Sequence, residues 1–512
     1  MKKTFLLSCL MLAAMPVMAA YTGHVYVDKN KNGVFDQSEK PLAGIKVSDG
    51  LNVVETAADG SFTLPGHERE RFIFITTPSG YKTFNRHYHK IEKKQSGYDF
   101  GLIPYSGRIR KNGSHRYIHI ADTEIFNTEN HADWVNNVRD YARNEQAAFI
   151  IHTGDICYEK GLKAHIKLMN TENMDCPVFY CIGNHDLVKG KYGEELFESI
   201  YGPVYYSFDA GNVHYVVTPM PGGDYAPGYT SDDVCRWLKN DLAHIRPGTP
   251  VVVFNHDLLT YEDTFIFKSK NAGSINLNEY NLKAWVYGHW HINYMKKQGD
   301  VYSVCTSSLD KGGIDHSTTA FRVMHVDSKG DFTSELRYTY LDKNICIASP
   351  AGVMASGVLP VAVNVYSSVS PVREVLYTCL ADGKPVLKNK RLLQSTDWSW
   401  NGELPLSHKY VGKELTLRVT ARFNNGEIAE AESNFICRTE KTVPLFSADW
   451  DNLSGNAKHS APVSAPLNLP LQLAWTNNVG ANLYMTSPLI HKGKVIVASV
   501  DEELKGAGLC ML

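Results

Sequence analysis

The 512-residue chain has no Cys-x-x-Cys pair, no Gly-x-Ser-x-Gly elbow and no Walker-type phosphate loop. Those absences exclude a cysteine zinc site, a serine-hydrolase nucleophile and a P-loop. It also lacks an excess of either charge: 52 Lys+Arg against 54 Asp+Glu give −2. No basic surface for nucleic acid or an anionic membrane is implied. Its most apolar run, Phe5 to Met15, is shorter than the roughly 20 residues that span a bilayer. With 43% hydrophobic and 21% charged residues, the composition is that of a globular protein rather than a disordered, collagen-like or multi-span membrane chain. The length argues for about three domains.

Lys2, Lys3, the apolar run, Pro16 and Val17-Met18-Ala19-Ala20 form the three parts of a secretory signal over residues 1–20. Export to the periplasm or cell surface is expected. A lipoprotein reading through Leu6-Leu7-Ser8-Cys9 is weaker, because almost no apolar stretch precedes the cysteine. Loss of Lys2 and Lys3 would leave 50 − 54 = −4, still near neutral. Loss of Cys9 would leave nine of ten cysteines, an odd number without framework spacing, so few or no structural disulfides are expected.

Residues 21–105 read as short strands separated by Gly, Pro and Asp turns, which predicts a small β-sandwich. From Arg116 strands alternate with helices. Tyr117 to Ala121, Ala147 to His152, Pro177 to Ile182, Pro250 to Phe254 and Lys283 to Tyr287 are strand-like, whereas His131 to Gln146 and Val234 to His244 have helical spacing. That alternation predicts a layered α/β domain over 115–342. Helical spacing stops after about Cys346, and alternating strands around the Asn424-Asn425-Gly426 turn predict a second β-sandwich over 346–440. Residues 445–512, with Trp450, Trp475 and the strand Lys494 to Ser499, weakly resemble one blade of a quinoprotein-type propeller. Such a fold needs several blades, so the segment reads as a cut-short propeller or a remnant.

Asp28, Asn30, Asn32, Asp36 and Glu39 fall at positions 1, 3, 5, 9 and 12 of a calcium loop, with Gly33 at position 6. Asp, Asn and Gly are equally what a tight turn selects, and no helices flank the run. Calcium ligation and a plain turn are both open readings.

Five strand-ending loops of the α/β region carry Asp, Asn or His. They are Asp122 in IADTE, Asp155 in HTGDICY, Asn184-His185-Asp186 in CIGNHD, His256 in VVVFNHD, and His289 and His291 in VYGHWH. One such ending is an ordinary turn, but five in one domain are not. Carboxylate and imidazole together suit Mn, Fe, Zn or similar ions.

In this order the motifs resemble the calcineurin-like metallophosphoesterase superfamily over residues 115–342. The resemblance implies a four-layer metallophosphoesterase β-sandwich flanked by helices, within an α/β chain that also has N- and C-terminal all-β sandwich domains. It implies two divalent or mixed-valence metal ions, with Asp155 bridging, Asp122 and His291 completing one site, and Asn184, His256 and His289 the other. His185 would protonate or orient the substrate, held by Asp186. Paired cations activate a water and stabilise both the attacking and leaving oxygens of an in-line displacement.

The first motif departs from the family pattern, having Glu124 where most members have His. Either Glu124 supplies an oxygen to the first metal, or Tyr158 of Gly154-Asp155-Ile156-Cys157-Tyr158 supplies a phenolate as in purple acid phosphatases, or neither does. Trp290, between two histidines of a predicted strand, should face away from them into the core. Leu258 to Tyr280 is an insertion that either borders the site or is a plain surface loop. The implied activity is hydrolysis of phosphate esters, foremost monoesters; the alternatives are a phosphodiesterase, or an inactive binding protein on the same fold.

Overall fold

The computed structural model describes residues 21–95, 97–439, 449–460, 483, 486–499 and 508–511. The expected signal and Trp475 lie outside the described residues. Two antiparallel-rich sheets share a core between Tyr21 and Pro104, built by Tyr21, Val25, Val47, Leu64, Ile73 and Phe100. A second pair of sheets spans Asn344 to Arg438 around Val363, Leu417, Val419 and Trp400. Glu414–Phe423 alternates buried residues with exposed or half-buried ones, which is the pattern of a sheet wetted on one face.

Between them lies the α/β unit. Its elements in chain order are β1 (His115–Ile120), α1 (Ala132–Asn144), β2 (Phe149–His152), α2 (Tyr158–Leu168), β3 (Val178–Tyr180), α3 (Glu195–Tyr201), β4 (Tyr206–Ala210), β5 (Val213–Val217), α4 (Ser231–Ala243), β6 (Val251–Phe254), β7 (Leu282–Tyr287), β8 (Tyr294–Gln298), β9 (Val301–Cys305), β10 (Ala320–Val326) and β11 (Phe332–Tyr338). They form one sheet in the order β3-β2-β1-β10-β11 and another in the order β4-β5-β6-β7-β9-β8. In the first, β1, β2 and β3 run parallel, with Tyr117 beside Phe149 and Ile150 beside Val178.

The strands are apolar almost throughout because both faces are covered. Tyr117, Phe149 and Ile151 point into the core shared with the second sheet, where Tyr215 and Phe254 meet Tyr117 at 5.7 and 5.8 Å between ring centres. Ile118, Ile120 and Ile150 point the other way, against Trp134, Val138 and Tyr141 of α1. Those three recur every three or four residues, which places them on one helix face. On the far side, Trp237 of α4 joins the core and meets Phe74 of the N-terminal unit at 6.3 Å between ring centres. The region is thus mostly β with helices on its outside, and the parallel strands all end at the same edge. Among the described residues, no helix is long and apolar enough to cross a membrane.

The C-terminal strand Lys494–Ser499 pairs with Leu489–His491 and Gly508–Met511, and Trp450 bridges to Ile490. These described pieces form a three-stranded sheet.

Candidate metal centre

The parallel strands deliver their final residues to one edge of the sandwich. There the backbone bends sharply: Asp122, Glu124, Asp155, His289 and His291 all adopt left-handed conformations, with φ of 51°, 42°, 54°, 66° and 52°. Each costs a non-glycine residue roughly 1 kcal/mol or more, so the surrounding bonds must hold them there. The loops tie to one another. Asp122 N–H donates to Gly154 O at 3.0 Å, Glu124 N–H to Asp155 O at 3.2 Å, and Gly288 N–H to His256 O at 3.0 Å. Gly183 is required by this crowding, since a Cβ would sit 2.2 Å from both the Asp155 amide nitrogen and its Oδ1.

Ligand atoms of Asp155, His256 and His289 lie within 4.8 Å of one another, as do those of Asp122, Asp155 and His291, and those of Glu124, Asp155 and Cys157. Asp155 is common to all three groups. His256 Nδ1 meets Thr153 O at 2.7 Å; a carbonyl only accepts, so Nδ1 carries a proton and Nε2 faces inward. That Nε2 lies 3.1 Å from Asn184 Oδ1, 3.2 Å from Asp155 Oδ2 and 3.2 Å from His289 Nδ1. Such a set of inward groups is held together only by a positive charge among them, a proton on Nε2 or a metal ion in its place. The residues therefore fit a metal ion on the chemistry of their donors. Burial and then the carboxylates of Asp155 and Asp186 push the Cys157 thiol far up.

The electrostatics report the same strain. Burial, reinforced by Asp155, holds the Asp122 carboxyl well above its ordinary range. Burial pushes the His256 imidazole down, but the Asp155 carboxylate beside it wins, and its pKa is raised to about 9. Burial and then the neighbouring His256 lower His289.

Glu124 stands at the edge of this cluster, with Oε1 3.6 Å from His291 Nε2 and Oε2 3.1 Å from Lys311 Nζ. Tyr158 begins α2 and is 44% exposed; its ring lies 5.3 Å from that of His185 and 6.3 Å from that of Phe126. Trp290 corrects the strand argument. β7 stops at Tyr287, so His289, Trp290 and His291 lie past the strand and period-two alternation does not apply. The indole is half-buried, and donates to Asp257 Oδ1 at 3.1 Å. The insertion after His256 divides: Phe265 is buried, whereas Tyr261 is 76% exposed and stacks on Trp290 at 5.9 Å.

His185 also departs from expectation. Asp186 does not hold it; its oxygens instead accept the backbone N–H groups of Cys157 and Gly183, both at 2.9 Å. Asp186 closes the short turn Asn184–Asp186 and is buried beneath it, so its carboxylate meets those amides rather than the neighbouring ring. The acid on His185 is Asp224, whose Oδ2 meets Nδ1 at 2.9 Å. Burial lowers the His185 pKa, but this contact and the Asp155 carboxylate leave it raised. Asp186→Ala strands two buried amides, each worth about 1–3 kcal/mol. The expected outcome is a clear fall in the urea unfolding midpoint, and an unchanged midpoint would show that the amides find other acceptors.

Asp224, Lys311 and His152 were not singled out by the sequence motifs. His152 ends β2, where Nδ1 accepts Gly154 N–H at 3.1 Å and Nε2 meets Thr123 Oγ1 at 3.0 Å, so it braces the first two loops. The signal available for Lys311 was its place in the loop after β9, which opens at the same edge.

In the N-terminal unit the candidate calcium loop closes on itself. Asp28 accepts the amides of Asn32 at 3.1 Å and Gly33 at 2.9 Å; Asp36 accepts Asn30 Nδ2 at 2.7 Å and Asn32 Nδ2 at 3.1 Å; Glu39 accepts Lys29 N–H at 2.8 Å and Asp36 N–H at 3.2 Å. Among the described residues, the His, Cys, Asp and Glu groups close enough to hold an ion lie at the sandwich edge instead.

A layered α/β sandwich whose strand ends gather carboxylates, an amide oxygen and imidazoles around one shared aspartate is a metal-centre protein in class. Residues 115–293 match the family described as calcineurin-like phosphoesterase, and residues 29–104 match the N terminal of calcineurin-like phosphoesterase. These residues place the matched part of the chain in the calcineurin-like metallophosphoesterase superfamily, whose members use divalent metal ions. It is 26% identical over 215 residues to purple acid phosphatase 13 of Arabidopsis thaliana, covering 39% of this chain and 36% of that protein. The chain thus spans about a third of that curated relative. Similar solved structures include vacuolar protein sorting 29 from Cryptosporidium parvum, at 10% identity and TM-score 0.23, covering 57% of this chain and 99% of that one. Another is a conserved uncharacterized protein, a predicted phosphoesterase, from Streptococcus pneumoniae TIGR4, at 10% identity and TM-score 0.21, covering 44% and 98%.

Proposed function

We propose that this chain is an exported, metal-dependent phosphoric ester hydrolase acting on phosphate monoesters. The observation that carries the reading is Asp155, which belongs to each group of ligand atoms at the sandwich edge. In it, Asp155 would be shared by two ions, of which Asp122 and His291 with Glu124 would hold one, and Asn184, His256 and His289 the other. The donor set favours Mn, Fe or Zn. When bound, such a pair polarises the phosphoryl oxygens and supplies a nucleophile at neutral pH.

The chain's own residues then do the rest. Asp224 fixes His185 through Nδ1, which leaves Nε2 to give a proton to the departing ester oxygen. Burial lowers the His185 pKa, but the same Asp224 contact and the Asp155 carboxylate leave it raised, in the direction that favours holding that proton. The reading includes the four-layer sandwich over 115–342, flanking β-sandwiches over 21–105 and 346–440, a propeller-like segment over 445–512 and export by residues 1–20. A calcium ion between Asp28 and Glu39 is a separate part of it, tested by calcium titration calorimetry of the purified chain.

The test is phosphate release from p-nitrophenyl phosphate and bis-p-nitrophenyl phosphate, with added Mn and with chelator. A chelator-sensitive rate on the monoester supports the proposal. Preference for the diester replaces it with a phosphodiesterase, and no rate on either, with metal bound, replaces it with a binding protein. For the first motif, Glu124→Gln is expected to weaken metal affinity about tenfold or more in a calorimetric titration, while Tyr158→Phe leaves it unchanged. The reverse pattern would make Tyr158 the ligand.

A further inference from the structure

The large aromatic side chains left exposed in the α/β unit are not scattered. Apart from Tyr340, which follows the last strand, they are Phe126, 57% exposed, Tyr158, 44%, Tyr225, 48%, and Tyr261, 76%. Each is on a loop already described: Phe126 two residues after Glu124, Tyr158 three after Asp155, Tyr225 next to Asp224, and Tyr261 five after His256. Scattered exposed aromatics are ordinary, but aromatics gathered around one cluster of ligand-type side chains mark a binding surface.

Two of them form a platform. The Phe126 and Tyr158 rings stack with 6.3 Å between centres and 19° between planes, and Tyr158 lies 5.3 Å from His185. Left-handed backbone at Glu124 and Tyr158 turns the two loops outward at that point. A second stack, Tyr261 on Trp290 at 5.9 Å and 21°, stands beside His289 and His291. Neither Phe126 nor Tyr261 is covered by the core, so the chain itself gains little from keeping them there.

We propose that the preferred substrates carry a planar aromatic group on the leaving side of the ester, seated on the Phe126–Tyr158 pair beside His185. This rests on the phosphoesterase reading above. The side follows from His185: its Nδ1 is taken by Asp224, so the group it protonates departs from Nε2, next to the Tyr158 ring. In that step the ester P–O bond breaks, a water oxygen joins phosphorus, and the departing oxygen takes the Nε2 proton. The shared chemistry is a flat π-face within reach of that oxygen, whether the base of a nucleoside phosphate or the ring of a simple aromatic ester.

The experiment compares substrates whose ester oxygens are alike. AMP and ribose 5-phosphate share a primary 5′ oxygen and differ in the base; benzyl and ethyl phosphate make the same comparison for a simple ring. Phosphate release is measured with the metal-supplemented full chain, with Phe126→Ala, and with Phe126→Leu, which keeps apolar bulk without a ring. Stacking on an aromatic side chain is worth about tenfold or more, so kcat/KM for AMP should exceed that for ribose 5-phosphate by at least about tenfold. That ratio should fall towards one in both variants. A ratio raised only for benzyl over ethyl phosphate, and lost in the variants, assigns the platform to simple aromatic esters. Equal rates within each pair overturn the inference and leave the phosphoesterase reading intact, as does a preference that survives both substitutions. No release from any of the four overturns both.

Discussion

Asp155→Asn is expected to lower phosphate release by roughly 1,000-fold while the chain stays folded. The substitution keeps shape but exchanges a carboxylate oxygen for an NH2 group. Asp155 Oδ2 faces His256 Nε2 at 3.2 Å and Oδ1 accepts His185 N–H at 3.0 Å, so either orientation of the amide places a donor where an acceptor is needed. It also removes the one negative charge common to the three ligand groups. Charge stabilisation by a metal pair amounts to several kcal/mol, and each 1.4 kcal/mol is tenfold in rate. Initial rates, metal content and circular dichroism on the same preparation check this. Retained turnover in metal-loaded protein would sink the assignment of Asp155. By contrast, Asp122 belongs to one ligand group, so Asp122→Asn should leave one ion bound and show half the metal content.

What was legible in the sequence is what short range decides. FIIH and VVVF read as strands because burial on both faces leaves continuous apolar runs, and the Asp, Asn and His that end them lie where the chain leaves the sheet. α2 was not legible. It runs through Gly161, a poor helix former, yet a Cβ there would fall 2.3 Å from Ile125 O, so tertiary crowding selects the residue that hides the helix. Partnerships across long separations were equally invisible. Asp224 reaches His185 across 39 residues, and Lys311 reaches Glu124 across 187, while the nearer candidate, Asp186, is drawn to backbone amides. The strand argument for Trp290 failed for a related reason, since hydrogen bonding ends β7 at Tyr287 and no periodicity in VYGHWH announces that, yet the half-buried indole does pack against the core.

Metal affinity is expected to rise with pH between about 7 and 9, and the metal-free chain is expected to lose stability over the same window. The sign follows from the shifts. A histidine raised from 6.5 to about 9, as His256 is, stays protonated in the folded metal-free chain where the unfolded chain has released its proton. The stability it contributes is complete below 6.5 and disappears as pH rises through about 9. Asp122, raised well above its ordinary value, acts in the same direction. Asp155 and His289 are lowered and oppose the trend, as do the buried His87, His119, His152 and His165; the carboxylate titrates far below this window, and the unfolded histidines release their protons around 6.5, so their effect fades at its lower end. A metal ion must displace the retained protons, so each proton released steepens affinity by about tenfold per pH unit. Titration calorimetry at pH 7 and pH 8, in buffers of different ionisation enthalpy, reads both the affinity and the proton count, and thermal melts with and without metal read the stability. An affinity flat across the window, with no proton released, would mean that the acceptors around His256 Nε2 are not the groups that take the ion.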